Sequence, residues 1–145
     1  MENKPDIIVG LDARGFLFGP SLALRVGAGF VPVRKKGKLP GPTETASFEK
    51  EYGADFFQMQ NDAITEGQKV IVLDDIIATG TQQTCSMPGV HPNFAPGGSA
   101  AAAGSLVEKL GGRLLGYVFL LELDFLHGRD KLNAPVYTLL SSQPS

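Results

Sequence analysis

Four apolar runs that do not alternate with polar residues set the strongest limit on the fold. They are DIIVGL (6–11), GFVPVRK (29–35), KVIVLDD (69–75) and LLGYVFLLEL (114–123), with PVYTLL (135–140) as a fifth. A strand with one face in water alternates; runs this apolar suit strands covered on both faces, as in a parallel sheet. Helical segments lie between them, roughly 16–26 and 99–111. The second reads SAAAAGSLVEKL, with Ser99 placed to cap its start and Gly111-Gly112 to stop it. Strand–helix–strand alternation predicts one α/β domain with a mainly parallel sheet, flanking helices and right-handed crossovers. Residues 36–62 break the pattern. KGKLPGPTETASFEKEYGADFFQMQ opens with Gly and Pro and continues with two β-prone pieces around Tyr52–Asp55. It reads as a flexible loop followed by an antiparallel hairpin arm outside the main sheet.

With 145 residues, 43% hydrophobic and 19% charged, the chain has enough apolar material for one real core. Its net charge of −2 offers no whole-chain attraction for nucleic acid or a membrane surface, so anion binding must come from local arrangements. Cys85 is the only cysteine, which excludes an internal disulfide and suits a reducing, cytoplasmic setting. MENKPDIIVG lacks the basic, apolar and cleavage regions of a signal peptide. The longest apolar stretch, GFLFGPSLALRVGAGFVPV, is interrupted by Pro20, Arg25 and glycines and reads as a helix then a strand, not a membrane span.

In an open parallel sheet, ligands bind beyond the carboxyl ends of the strands. Two such ends carry chemistry. GLDARGF places Asp12, Ala13 and Arg14 in a tight turn before a helix, where N–H groups and a guanidinium would suit a pyrophosphate. The tripeptide alone is equally compatible with a solvated surface Arg. VLDDIIATG ends the third run with adjacent acids, Asp74 and Asp75, whose carboxylates can accept hydrogen bonds from vicinal sugar hydroxyls. Ala78, Thr79 and Gly80, resumed by Gly98 and Ser99 at a helix start, would supply donors for a terminal phosphate. His91 and His127 have no metal-ligand spacing and read as loop residues, while Phe56, Phe57, Phe119 and Phe125 read as core. By themselves Lys35, Lys36 and Lys38 read as a solvated loop, and Glu49, Lys50 and Glu51 as hairpin surface charges.

An apolar strand, two acids, two aliphatics and ATGG[TS] resembles the phosphoribosyl diphosphate (PRPP) signature of type I phosphoribosyltransferases. GLDARGFLFGPSLAL, VPVRKKGKLPGPT, EKEYGADFFQMQNDAI and LELDFLHGRDKLNAPVYTLL narrow the likeness to the adenine phosphoribosyltransferase family, in a fungal-like form. The resemblance implies the type I phosphoribosyltransferase fold and transfer of a phosphoribosyl group from PRPP to adenine, giving AMP and pyrophosphate in purine salvage. It makes Asp74 and Asp75 the ribose ligands, and Ala78, Thr79, Gly80, Gly98 and Ser99 the holders of the 5′-phosphate. It assigns the pyrophosphate to Asp12, Ala13 and Arg14, often with a non-proline cis peptide in that turn, together with Arg34, Lys35 and Lys38. It matches Glu51 to the acid that protonates adenine, with Tyr52 beside it on the closing loop. Mg²⁺ bound through PRPP and water, with no direct protein ligand, and a homodimer are implied in the same way. A reading from another class is a non-catalytic PRPP- or nucleotide-binding module of the same fold.

The chain departs from that pattern twice. The resembling enzymes carry further residues ahead of the point matching DIIVGL, including the hood that contacts the purine, so base recognition is expected to lie outside this chain. The seventeen residues TQQTCSMPGVHPNFAPG (81–97) also split the phosphate loop; removing them restores DDIIATGGSAAAAGSLVEKL. They read either as a retained intron or as a surface insertion, which long loops tolerate thermodynamically. Either way Gly98 and Ser99 are displaced from Thr79, which is expected to impair phosphate binding and turnover.

Overall fold

Each apolar run becomes a strand. The computed structural model describes residues 4–50, 53–78, 98–123 and 132–142. The chain runs β1 (Ile7–Leu11), α1 (Gly15–Val26), β2 (Gly29–Lys35), β3 (Thr43–Lys50), β4 (Gly53–Gln60), β5 (Lys69–Ala78), α2 (Gly98–Lys109), β6 (Arg113–Leu123) and β7 (Val136–Ser142). One seven-stranded sheet results, in the order β3-β4-β2-β1-β5-β6-β7. The β2-β1-β5-β6-β7 portion is parallel throughout. Residues 81–97, read as an insertion, lie outside the described residues.

The hairpin arm is where expectation and structure part. β3 and β4 do pair antiparallel, from Thr43↔Gln60 to Lys50↔Gly53. They are not outside the main sheet: β4 joins β2 through Arg34↔Gln58 and Lys35↔Phe57. The reason is burial, because Ala46, Phe57 and Met59 share one core cluster with the buried residues of α2. Phe56 faces the other way and is exposed, contrary to its reading as core, whereas Phe57 and Phe119 are buried as expected. Phe125 lies outside the described residues.

Alternation sorts the strand residues onto two faces. Val9, Leu11, Val33, Val70 and Val72 pack with Ala103, Leu106 and Val107 of α2. Ile8, Leu73 and the half-buried Phe30 and Ile71 pack with Ala23 and Leu22 of α1. Both helices end on a glycine with positive φ, Gly27 at 67° and Gly111 at 83°, a conformation that costs glycine little. Ala28 N–H bonds to Ala23 O and Gly112 N–H to Val107 O, closing each end as in a Schellman motif. The Gly111-Gly112 stop is therefore as expected. Ser99 is not the cap, since α2 already includes Gly98; packing of the buried Ala100, Ala102 and Ala103 carries helical geometry back to that residue.

A small polar network ties β6 and the segment before β7 to α2. The Tyr117 hydroxyl donates to Asn133 Oδ1 at 3.1 Å, and Asn133 Nδ2 donates to Glu108 Oε1 at 2.7 Å. Burial, and then the nearby Glu108 charge, push the Tyr117 phenol up to about 12.

Candidate active site

The strand order places a crevice before any side chain is considered. From β1 the chain crosses to β2 on one side; from β5 it crosses to β6 and then β7 on the other. The carboxyl ends of β1 and β5 therefore flank the point where the winding reverses, which is where open α/β sheets bind ligands. Leu11 of β1 is followed by Asp12–Ala13–Arg14, and β5 contains Asp74 and Asp75. Gly10 pairs with Leu73, so the turn and the acids lie side by side.

Glycines hold the turn there. A Cβ on Gly15 would stand 2.9 Å from the Leu73 carbonyl oxygen, so only glycine lets the first residue of α1 rest on the backbone immediately before Asp74. Gly10 plays the same part from below: a Cβ there would stand 2.7 Å from the Phe30 ring and 3.0 Å from Gly15 O. Phe30 in turn meets Phe16 edge to face, with ring centroids 6.0 Å apart. Within the turn the Asp12–Ala13 peptide is cis, as the resemblance implied. Asp12 N–H is bonded to Val33 O at 3.0 Å, while Phe16 and Leu17 N–H reach Ala13 O and Arg14 O. Arg14 precedes the helix and is exposed, at the mouth of the crevice.

The basic end of β2 and the turn that follows it lie on the other side. Arg34 Nε donates to Asp12 Oδ2 at 2.9 Å, a charge-assisted bond between two residues 22 apart in sequence. Arg34 Nη1 also leans on Lys38 O at 3.4 Å. Gly37, with φ of 84°, turns the chain between Lys36 and Lys38, and its N–H donates to Gln58 Oε1 at 2.9 Å. Lys35 Nζ stands 3.4 Å from Asp55 Oδ2, and Lys36 Nζ lies 5.5 Å from the Phe56 ring centre. The six expected pyrophosphate residues thus fall in two adjoining places: Asp12, Ala13 and Arg14 in the turn after β1, and Arg34, Lys35 and Lys38 at the end of β2 and in the turn that follows it.

The acids need a correction of place. β5 does not stop at Asp75: Ile76, Ile77 and Ala78 pair with Leu121, Glu122 and Leu123 of β6. The long partner strand extends the ladder, so Ala78, expected in the phosphate turn, is the last residue of a strand. Asp74 is half-buried and pairs with Phe119. Gly98 and Ser99 open α2. Thr79, Gly80, Glu51 and Tyr52 lie outside the described residues. Gly10, Gly15 and Gln58 also support the site; the glycines flanking LDAR carry a local signal of close approach, whereas Gln58 carries none.

Residues 1–82 match the model of the phosphoribosyl transferase domain. The adenine phosphoribosyltransferase of Yarrowia lipolytica is 61% identical over 142 residues, covering 98% of this chain and 69% of that protein. That of Debaryomyces hansenii is 57% identical, with 98% and 67% covered. The crystal structure of the Saccharomyces cerevisiae enzyme, complexed with adenine and D-2,5-dideoxy-2,5-imino-altritol 1,6-bisphosphate, superposes with a TM-score of 0.81 at 59% identity, over 94% of this chain and 68% of that one. A winding reversal between β1 and β5, two acids on β5 and likeness of this extent lead to one conclusion: the chain belongs to the adenine phosphoribosyltransferase family.

Proposed function

We propose that the chain carries the chemistry of phosphoribosyl transfer from PRPP to adenine, forming AMP and pyrophosphate, with turnover impaired by residues 81–97, which separate Gly80 from Gly98 in sequence. The carrying observation is the joining of the Asp12–Ala13–Arg14 turn to the basic turn by Arg34, directly beside the acid strand. In the reaction the C1′–O bond to pyrophosphate breaks, a C1′–N bond to adenine forms, and the ring proton of adenine is lost. The leaving group gathers negative charge, which Arg34, Lys35, Lys38 and Arg14 would stabilise. Asp74 and Asp75 would hold the ribose hydroxyls, while Thr79, Gly80, Gly98 and Ser99 hold the 5′-phosphate. Glu51 would manage the adenine proton, with Tyr52 helping to exclude water. Mg²⁺ bound with the diphosphate would offset the charge of the departing group, and substrate phosphates and water rather than protein side chains would hold it. Asp12, the carboxylate of the described turn, is already engaged by Arg34.

A homodimer is part of the same reading, and the exposed apolar side chains of α1, Leu17 at 72% and Leu24 at 84%, support it. The lone Cys85 supports a cytoplasmic setting. The test is direct: incubate the protein with adenine, PRPP and Mg²⁺ and follow AMP by chromatography. Turnover that falls at least tenfold in Arg34→Ala supports the assignment. PRPP binding without any AMP would instead identify a non-catalytic binding module.

A further inference from the structure

Gln58 is the buried polar side chain among the described residues, and it faces the basic turn rather than the core. It lies on β4 opposite Arg34. Its Oε1 accepts the Gly37 N–H at 2.9 Å, across 21 residues of sequence, and its Nε2 donates to Thr45 Oγ1 at 3.0 Å. The Gly37 N–H, which can only donate, fixes which end of the amide faces the turn, since a reversed amide would oppose one N–H to another; the Thr45 hydroxyl accepts from the other end. Gly37 sits between the lysines assigned to pyrophosphate, and Lys38 O is the second contact of Arg34. A buried amide whose hydrogen bonds are both made costs little, whereas one that loses a partner is expensive. The turn therefore has a strong reason to hold a single shape.

We infer that Gln58 is a positioning residue for pyrophosphate: it presets the Lys35–Lys38 turn and through it the Arg34 guanidinium, without touching substrate itself. The inference rests on the reading of this crevice as a PRPP site. It makes a claim that a merely structural residue would not meet, because only ligands carrying the diphosphate should feel its loss. AMP fills the ribose and 5′-phosphate positions but not the pyrophosphate one, so the two ligands separate the roles.

The experiment is calorimetric titration of the full chain, of Gln58→Leu and of Thr45→Val with PRPP plus Mg²⁺ and, separately, with AMP. Gln58→Leu should weaken PRPP about tenfold and leave AMP within twofold; Thr45→Val, which removes only the acceptor of the amide's Nε2, should weaken PRPP about threefold with the same selectivity. Equal loss for both ligands, or no loss for either, overturns the inference. Should Gln58→Leu fail to fold, the PRPP-to-AMP ratio in Thr45→Val decides it alone. A parent chain that binds neither ligand refutes the functional reading and this inference with it; a parent that binds both, with unselective variants, refutes this inference only.

Discussion

The two helices are equally long, twelve residues each, yet they do different work on the sheet. α2 inserts Ala100, Ala103, Leu106 and Val107 into a cluster that also takes in Met59 of the arm and Tyr117 and Phe119 of β6. α1 buries only Gly15, Gly19 and Ala23, and leaves Leu17 and Leu24 in the open. The difference follows from what each helix must do. α2 anchors the fold by covering large side chains across six strands, while α1 is drawn down by glycines until its first residue touches β5 beside the acids. One helix is packed for stability and the other for placement.

Substitutions of a single residue type on the two helices test that contrast most sharply. Leu106→Ala should lower the free energy of urea unfolding by about 3 kcal/mol, because it leaves a cavity in the main cluster. Leu24→Ala should change it by less than about 0.5 kcal/mol. A concentration-dependent cost at Leu24 approaching that at Leu106 would show the exposed stripe covered by a second copy.

Next in size is Gly19→Ala on α1, where the added Cβ runs into the Phe30 ring. Overpacking of this kind should cost about 2 kcal/mol and lift α1 from the sheet. Combining it with Phe30→Leu should recover part of the stability, and no recovery would mean that the ring is not the obstacle.

Tyr117 sharpens the comparison through pH. Its phenol is held up to about 12 in the native state, against an ordinary value near 10. Between those values the unfolded chain has lost the proton and the native one keeps it. The contribution to stability is therefore whole below about pH 10 and is lost as pH rises toward 12. Tyr117→Phe should remove that alkaline slope and cost about 1 kcal/mol at neutral pH through the lost bond to Asn133. Denaturant titrations at several pH values would check both. The smallest effect belongs to Lys35→Ala. Its pairing with Asp55 at 3.4 Å is at the surface, so stability should shift by less than about 0.5 kcal/mol while PRPP binding weakens measurably.

Much of this was legible in the chain. The non-alternating run at 6–11 announces a strand buried on both faces, which leaves no place for polar alternation, whereas 29–35 forms a strand fully buried only at Val31 and Val33. Gly27 and Gly111 announce helix ends because a left-handed residue is needed there and glycine tolerates it. The acids and the LDAR turn were visible because a chemical site needs specific groups close together in sequence. Other features were not. The extension of β5 to Ala78 depends on how far β6 runs beside it, and the arm joins the sheet because Phe57 and Met59 find α2.

The sequence by itself determined which segments are strands, where the helices stop and which two strand ends carry charge, since each depends on residues only a few positions apart. Tertiary structure alone decided that Asp12 meets Arg34 and that Gly37 meets Gln58, contacts spanning 22 and 21 residues. Such pairs arise from strand order and register, which no local pattern encodes, and they turn two separate loops into one wall of a crevice.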